Sequence, residues 1–293
     1  LGLDDFAQLQ RPLNLRDAFD QVEFVKWNAF RDTEDARFVG LTMPRVLMRL
    51  PYEDNGSRSD GFRFHEEVQL PDRSEYRAPQ APATLTIDGV ANEAIWDQAE
   101  WRAIGHRWLG PEYTAEDFQG RFKVVWTEDR LYILGEFVDD VLIDTHRDPL
   151  VQYWDDDCLE IFLDEDYSGG EHHFSHNAFA YHFSLDNQAI DIGTDEKPHN
   201  YSHHVESRWQ QRGNKLVWEV AIDIYADDYV DGSNDNEPVK LVANKVMGLM
   251  VAYCDNDGSE LRENFIGSEI VLSGPKDRGY IDAGLFGSLT LDE

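Results

Sequence analysis

The stretch Arg121-Phe122-Lys123-Val124-Val125-Trp126 predicts a β-strand, because most of its residues are aromatic or β-branched. The polar turn Thr127-Glu128-Asp129-Arg130 follows, and Leu131-Tyr132-Ile133-Leu134-Gly135-Glu136-Phe137-Val138 returns as a second apolar strand. Two such runs around a short polar turn indicate an antiparallel hairpin. This hairpin defines a pattern that recurs through most of the chain.

Further strands are predicted on both sides of the hairpin. They are Ala83–Ile87, Cys158–Asp164, Ala178–Leu185, Ala189–Ile192, Val205–Gln211, Lys215–Ile222, Val246–Cys254 and Leu285–Leu291. Between the first of them and the hairpin, Asn92–Trp96 is predicted to be a short turn or helix that buries Trp96. Many closely spaced strands with few helices indicate a mainly β protein, and specifically an antiparallel β-sandwich.

The first part of the chain has a different pattern. Its aromatic and aliphatic residues recur at helical spacing through residues 21–39, so residues 1–68 are predicted to be a short helical segment that precedes the sandwich. Residues 69–83 contain three prolines and no apolar periodicity, which is typical of a linker or a lead-in strand. Residues 84–293 are then the predicted sandwich domain.

Composition and charge restrict the ligands that we expect. The 293 residues include 26 Lys and Arg against 58 Asp and Glu, a net charge of −32. Such a surface repels nucleic acid and anionic lipid, whereas neutral polar ligands and divalent cations remain compatible with it. No apolar run approaches the ~20 residues of a membrane span, and Leu1–Asp5 has neither the basic nor the apolar part of a signal peptide.

No catalytic motif is recognisable in the sequence. We find no nucleophile elbow, no phosphate-binding loop and no dinucleotide fingerprint. A pair of carboxylates would suit glycoside hydrolysis, but among 58 acidic residues no pair can be selected from the sequence. We therefore predict that the protein is not an enzyme.

Acidic turns supply the candidate metal ligands. Asp255 and Asp257 lie in the turn Asp255-Asn256-Asp257-Gly258, and hard carboxylate oxygens are the donors that calcium prefers. Strands flank this turn, so it departs from the helix-loop-helix calcium pattern. A structural calcium ion with Asp255 and Asp257 among its ligands is one hypothesis for these turns, and solvated carboxylates without an ion are the favoured alternative.

Histidines and cysteines give weaker signals. The clusters His172-His173-Phe174-Ser175-His176 and His203-His204 are predicted to be solvent-exposed rather than zinc-binding, because a loop does not fix their geometry. Cys158 and Cys254 are the two cysteines of the chain and permit one disulfide at most.

The N-terminal segment resembles a known assembly protein. Residues 24–52 run from Phe24-Val25-Lys26-Trp27-Asn28-Ala29-Phe30-Arg31-Asp32 to Met43-Pro44-Arg45-Val46-Leu47-Met48-Arg49-Leu50-Pro51-Tyr52. This run resembles a mid-chain part of the large subunit of the type VI secretion sheath, over about residues 1–68. The resemblance implies a structural role in a sheath-like assembly and a cytoplasmic location.

The second part resembles a sugar-binding family. The motifs are Ile87-Asp88-Gly89 with Asn92-Glu93 and Trp96; Val124-Val125-Trp126 with Leu131-Tyr132-Ile133; Trp154–Asp164; and Gly279–Leu291. In this order they resemble family 9 carbohydrate-binding modules and their relatives. The resemblance implies a non-catalytic β-sandwich that binds poly- or oligosaccharides, often beside a glycan-active enzyme and with structural calcium. It also implies an extracellular or periplasmic location.

The same resemblance implies the site residues. The family clamps a sugar between two aromatic rings, which correspond here to Trp154 and Tyr280, and its hydroxyl-binding acid corresponds to Asp139. An arginine of the family aligns with His182 and a glutamine with Ala252, and both are departures from the pattern. Aromatic rings suit the flat apolar face of a pyranose, and a carboxylate accepts hydrogen bonds from its hydroxyls.

Three functions therefore stay open at the level of sequence. Sugar binding by residues 84–293 is the first, and a role in a sheath-like assembly through residues 1–68 is the second. The third is haem binding, because related sandwiches include haem domains with axial methionine, lysine or histidine. Lys245, Met247 and Met250 are the candidate ligands for that alternative.

Overall fold

A computed structural model describes residues 73–272 and 274–293. The chain divides into two units, Leu1–Pro71 and Asp72–Glu293. The predicted helical segment 1–68 and the first residues of the predicted linker therefore lie outside the described residues.

Fourteen β-strands form in the described part of the chain, which confirms the prediction of a mainly β fold. They are β1 (Glu75–Ala78), β2 (Arg102–Ile104), β3 (His106–Leu109), β4 (Phe118–Trp126), β5 (Leu131–Asp139), β6 (Cys158–Asp164), β7 (Phe179–Ser184), β8 (Ala189–Ile192), β9 (Pro198–Asn200), β10 (Val205–Arg212), β11 (Lys215–Ile222), β12 (Val246–Asp255), β13 (Asn264–Gly267) and β14 (Gly287–Leu291). Short 3₁₀ turns occur at Ala94–Asp97, Ser202–His204, Arg278–Tyr280 and Ala283–Leu285.

These strands form two sheets. The larger has the order β1-β14-β12-β6-β7-β8-β9, with β13 beside β12 and β3 beside β13, and the smaller has the order β10-β11-β5-β4-β2. The pair β1–β14 is parallel, whereas the predicted hairpin β4–β5 is antiparallel, with Trp126 opposite Leu131. The predicted sandwich is therefore confirmed.

Strand β6 is buried on both faces, and this explains its long apolar run. Leu159 and Ile161 point into the core between the sheets, whereas Cys158 and Phe162 point to the outer face of the larger sheet. Loops that include Val271 and Phe286 pack on that outer face. The larger sheet thus has a covered outer face on which polar side chains can be held in fixed positions.

The predicted strand Ala83–Ile87 is wrong, because the structure has no strand there. Leu85 and Ile87 are nevertheless buried, together with Trp96, against the outer face of the smaller sheet. Alternation therefore identified Leu85 and Ile87 as buried, although Ala83 is exposed and the backbone forms no strand. The 3₁₀ turn Ala94–Asp97 buries Trp96, as predicted.

Strand β1 lies within residues 69–83, for which a lead-in strand is one of the two predictions, whereas the four strands β2, β3, β9 and β13 were not predicted. Each has three or four residues, which is too short for a periodic pattern to be recognised. Their pairing depends on partners that are distant in sequence. The pair β3–β13 is an example, with Leu109 opposite Phe265.

The prediction of solvent-exposed histidines is wrong for His172, His176 and His204, which are all buried. His172 Nε2 lies 2.9 Å from the Gly279 carbonyl, and His204 Nδ1 lies 2.8 Å from the Tyr181 hydroxyl. Tertiary contacts place these imidazoles in the interior.

Among the described residues, no helix is long and apolar enough to cross a membrane.

Candidate functional site

A cavity of about 300 Å³ opens on the outer face of the larger sheet. Its lining residues are Tyr153, Trp154, Glu160, His182, Asp191, Ile192, Arg262, Phe265, Asp277 and Tyr280. Three of the four residues predicted for sugar binding, Trp154, Tyr280 and His182, are thus brought together from distant parts of the chain. The fourth, Asp139, is not among the lining residues.

Two partly exposed aromatic rings belong to the cavity wall. Trp154 is 36% exposed and Tyr280 is 38% exposed, whereas Tyr153 between Trp154 and the sheet is buried. The Tyr153 ring meets Trp154 edge-on at 4.8 Å and meets His182 edge-on at the same distance. Tyr153 therefore fixes the position of the Trp154 ring relative to the polar base of the cavity.

Glu160 is the centre of that polar base. Its Oε1 accepts from His182 Nε2 at 3.1 Å, from Cys254 Sγ at 3.0 Å and from Arg262 Nη1 at 3.4 Å. Burial alone would raise the pKa of Glu160, but His182, Arg262 and Cys254 together outweigh it, so this pKa is lowered. Glu160 is therefore an ionised carboxylate held by three donors.

His182 is a buried imidazolium. Its Nδ1 lies 2.9 Å from the Ala180 carbonyl and its Nε2 faces Glu160, so both ring nitrogens must donate. Burial opposes the charge, but Glu160, Asp191 and the Ala180 carbonyl together outweigh burial, and the pKa of His182 is raised. Because both N–H groups are engaged, His182 contributes mainly charge and shape to the cavity.

Arg262 was not identified from the sequence, since the loop before β13 shows no motif. Its guanidinium lies 4.1 Å over the Phe265 ring, and its Nη2 is 3.8 Å from Asp277 Oδ2. Stacking on a ring and pairing with Glu160 fix the plane of the guanidinium. Its Nη2 edge is the part turned towards Asp277 at the cavity.

Asp191 adds a second buried carboxylate to the lining. It accepts from the backbone N–H groups of Ala180 and Ile192, each at 2.7 Å. Burial raises the pKa of Asp191 to about 6. The cavity therefore contains three carboxylates, those of Glu160, Asp191 and Asp277, against two cationic groups.

Asp139 lies in the interior instead. It is 1% exposed, and its Oδ2 accepts from the Tyr253 hydroxyl at 2.7 Å. Carboxylate oxygens of Asp139, Asp157 and Asp255 lie within 4.8 Å of one another, at the ends of β5 and β12 and the start of β6. We call this group the triple-aspartate cluster.

The triple-aspartate cluster is electrostatically strained. Burial, followed by the charge of Asp139, raises the pKa of Asp157 to about 9 and that of Asp255 to about 8. Burial likewise raises the pKa of Asp139 to about 6. Hard, converging, buried oxygens fit a calcium ion, which would supply the missing positive charge.

Of the two predicted calcium ligands, Asp255 belongs to the triple-aspartate cluster. Asp257 belongs to a different group, with Asp117 and Asp140.

The candidate haem ligands do not converge on one site. Met247 packs in the core between the sheets, whereas Met250 packs on the outer face of the larger sheet. Lys245 forms an ion pair with Glu165. The three side chains are therefore directed to different environments.

The described residues form a β-sandwich domain with an open cavity on the outer face of its larger sheet. Residues 87–293 match the family described as carbohydrate family 9 binding domain-like, and the chain belongs to this family. The matched residues include every residue of the cavity lining.

Solved structures have the same fold. A family 9 carbohydrate-binding module from Caldicellulosiruptor kristjanssonii, in complex with cellotriose, is 18% identical, with a TM-score of 0.56 over 75% of this chain and 94% of that chain. The module from the same organism in complex with glucose is 19% identical, with a TM-score of 0.55 over 74% of this chain and 95% of that chain. At this level of identity the similarity establishes the fold.

The first residues match a different family. Residues 1–89 match the EvpB/VC_A0108 tail sheath N-terminal domain. The type VI secretion system sheath protein TssC1 of Pseudomonas aeruginosa is 38% identical over 88 residues, which is 30% of this chain and 18% of that protein. The sheath match extends beyond residue 68 to residues 73–89, which the structure places in the sandwich through β1.

Proposed function

We propose that this protein binds carbohydrate without catalysing a reaction, and that Trp154 and Tyr280 clamp a small saccharide at the cavity. The supporting observation is that both rings are partly exposed at one cavity whose base is a fixed network of charged groups. The cavity volume of about 300 Å³ lies at the small end of the range for ligand sites. One sugar unit at the end of a chain, or a free monosaccharide, suits this volume.

The two rings supply the apolar part of recognition. An aromatic ring buries the C–H groups of a pyranose face and leaves the hydroxyl groups at its edge free. Trp154 offers the larger surface, and Tyr153 holds it in place. A clamp of this kind gives affinity for sugar rings in general.

The charged base supplies hydroxyl contacts. The resemblance to the family places an arginine where this chain has His182, whose two N–H groups are already engaged. We infer that Arg262 takes over as hydroxyl donor, with Asp277 and Asp191 as acceptors. Because carboxylates outnumber cations in the lining, neutral saccharides are favoured over uronic acids and sulfated sugars.

The full chain on an array of neutral and acidic glycans tests this proposal. We expect binding to neutral glycans, which calorimetry with soluble oligosaccharides then quantifies. Recovery of the oligosaccharide unchanged after long incubation supports non-catalytic binding, and its cleavage contradicts it. If no neutral glycan binds, the carbohydrate proposal fails.

Sugar binding of this kind has implications for location and partners. It places the module where glycans occur, outside the cell or in the periplasm, and a glycan-active enzyme is the partner that such a module would serve.

We further propose that the triple-aspartate cluster holds a structural calcium ion close to the loop that contains Trp154. The convergence of three buried carboxylates supports this site.

A second candidate function is assembly with a sheath-like structure in the cytoplasm. The match of residues 1–89 to a sheath domain favours it. Sedimentation of the full chain, alone and mixed with sheath subunits, is the test. Co-sedimentation with large particles would support assembly, and a chain that stays in the supernatant in both cases would contradict it.

A further inference from the structure

Two cysteines and one glutamate converge beneath the sugar cavity. Cys158 of β6 is directly opposite Cys254 of β12, and Glu160 lies two residues further along β6, on the same face. One ligand atom from each of these side chains lies within 4.8 Å of the other two. All three are buried on paired strands, so their positions are set by the sheet and not by a loop.

We propose that Cys158, Cys254 and Glu160 form a binding site for zinc or a similar soft divalent metal. Two thiolates and one carboxylate match the donors that Zn²⁺ prefers, and three protein ligands leave one position for water in a tetrahedral site. Glu160 also lines the cavity, so the proposed metal site borders it. The donor set differs in kind from the triple-aspartate cluster, which has hard oxygens alone.

The groups around the site suit bound metal. Arg262 Nη1 lies 3.1 Å from Cys254 Sγ, and His182 Nε2 lies 3.1 Å from Glu160 Oε1. Donors of this type orient metal ligands and offset their negative charge. His182 itself is kept in place by the Ala180 carbonyl.

Charge balance permits the exchange. When one Zn²⁺ enters, the two thiols lose one proton each to solvent and become thiolates, so the net charge of the site does not change. No electron is transferred, and no other reactant is needed. Metal binding should therefore release protons and become stronger as the pH rises.

Cobalt substitution gives a direct test, because Cys158 and Cys254 are the two cysteines of the whole chain. The full chain, reduced and freed of metal, is titrated with Co²⁺. We expect a thiolate-to-cobalt charge-transfer band in the near ultraviolet and tetrahedral visible bands, both removed by one equivalent of Zn²⁺. Ca²⁺ should leave the bands unchanged.

Variants assign the ligands. Cys158→Ser and Cys254→Ser should each reduce the charge-transfer band by about half or abolish it, and Glu160→Gln should weaken Co²⁺ binding with the band retained. Arg262→Met should weaken binding on the order of 10-fold, as expected for a residue that supports a ligand. Asp257→Asn, in a different acidic group, is the matched control and should bind Co²⁺ like the wild type.

Two results would overturn the zinc site. One is a fully reduced protein that gives no charge-transfer band with excess Co²⁺. The other is the formation of a disulfide between Cys158 and Cys254 in air while excess Zn²⁺ is present, as detected by alkylation and mass analysis. A bound metal would protect the two thiols from this oxidation. Neither result depends on sugar binding, so the carbohydrate proposal is tested separately.

Discussion

The His182 imidazole and the Glu160 carboxylate face each other across β7 and β6, with Nε2 3.1 Å from Oε1. Both side chains are buried, so their attraction is poorly screened by solvent. The pair fixes the base of the cavity, whereas Trp154 and Tyr280 at its wall stay partly exposed. The site therefore combines a rigid polar base with aromatic rings that are open to a ligand.

Removal of the Trp154 ring should weaken saccharide binding most. Stacking contributes on the order of 1 kcal/mol per ring beyond area burial, so Trp154→Ala should reduce affinity severalfold or more, and Tyr280→Ala somewhat less. Calorimetry against a soluble oligosaccharide measures both. Tyr167→Ala is the control, since Tyr167 is a 39% exposed ring that does not line the cavity. Equal affinity of Trp154→Ala and the wild type would exclude the clamp.

Substitution of Asp255 should separate calcium binding from stability. Asp255→Asn removes one of three crowded carboxylates, so the calcium-free protein should become more stable. A gain on the order of 1 kcal/mol would raise Tm by about 2–4 °C. The increase in Tm on adding Ca²⁺ should at the same time be lost. Thermal unfolding with Ca²⁺ and with chelator gives both values. Asp257→Asn should retain the calcium effect, and a variant of Asp255 that keeps it would contradict the site.

Buried His172 should make the fold sensitive to mild acid. Burial lowers the pKa of His172 to about 4, and Asp282 and His173 are the charged groups that face it. The unfolded chain protonates this histidine near pH 6.5, whereas the folded chain does so near pH 4, so stability falls as pH drops through this window. The loss is about 1.4 kcal/mol per pH unit at most.

Denaturant unfolding at several pH values measures this effect. The His172→Gln variant is compared with the wild type, so that the titration of other groups cancels. We expect the stability difference between the two proteins to shrink from pH 7 to pH 4. A constant difference over that range would show that His172 is not neutral in the fold.

Substitution of Gly267 should destabilise the outer face of the larger sheet. A Cβ at this position would lie 2.0 Å from Trp108 Cζ2, and the Trp108 indole is held by its bond to the Glu269 carbonyl. Gly267→Ala should therefore cost about 1–3 kcal/mol, as in other overpacked sites. Gly105→Ala, where a Cβ would meet nothing within 4 Å, is the control. Equal unfolding midpoints for the two variants would contradict this packing.

Resemblance to the family named three residues that line the cavity. Trp154, Tyr280 and His182 were expected at one site, and the structure places all three on one cavity. Glu160 and Arg262 were not expected, because a glutamate in an apolar strand and an arginine in an acidic loop have no motif of their own. Their role depends on β6, β7 and β12 lying side by side.

The fold class follows from the amino-acid pattern alone, because alternating and continuous apolar runs fix which side chains must be buried. The same pattern determines the hairpin β4–β5, since both strands and their turn are local. Long-range contacts, by contrast, bring Asp139 together with Asp157 and Asp255 in the interior and place Arg262 at the cavity. These positions depend on pairing between strands that are far apart in the chain. The register of each pair decides which side chains become neighbours, and the local sequence pattern does not specify that register.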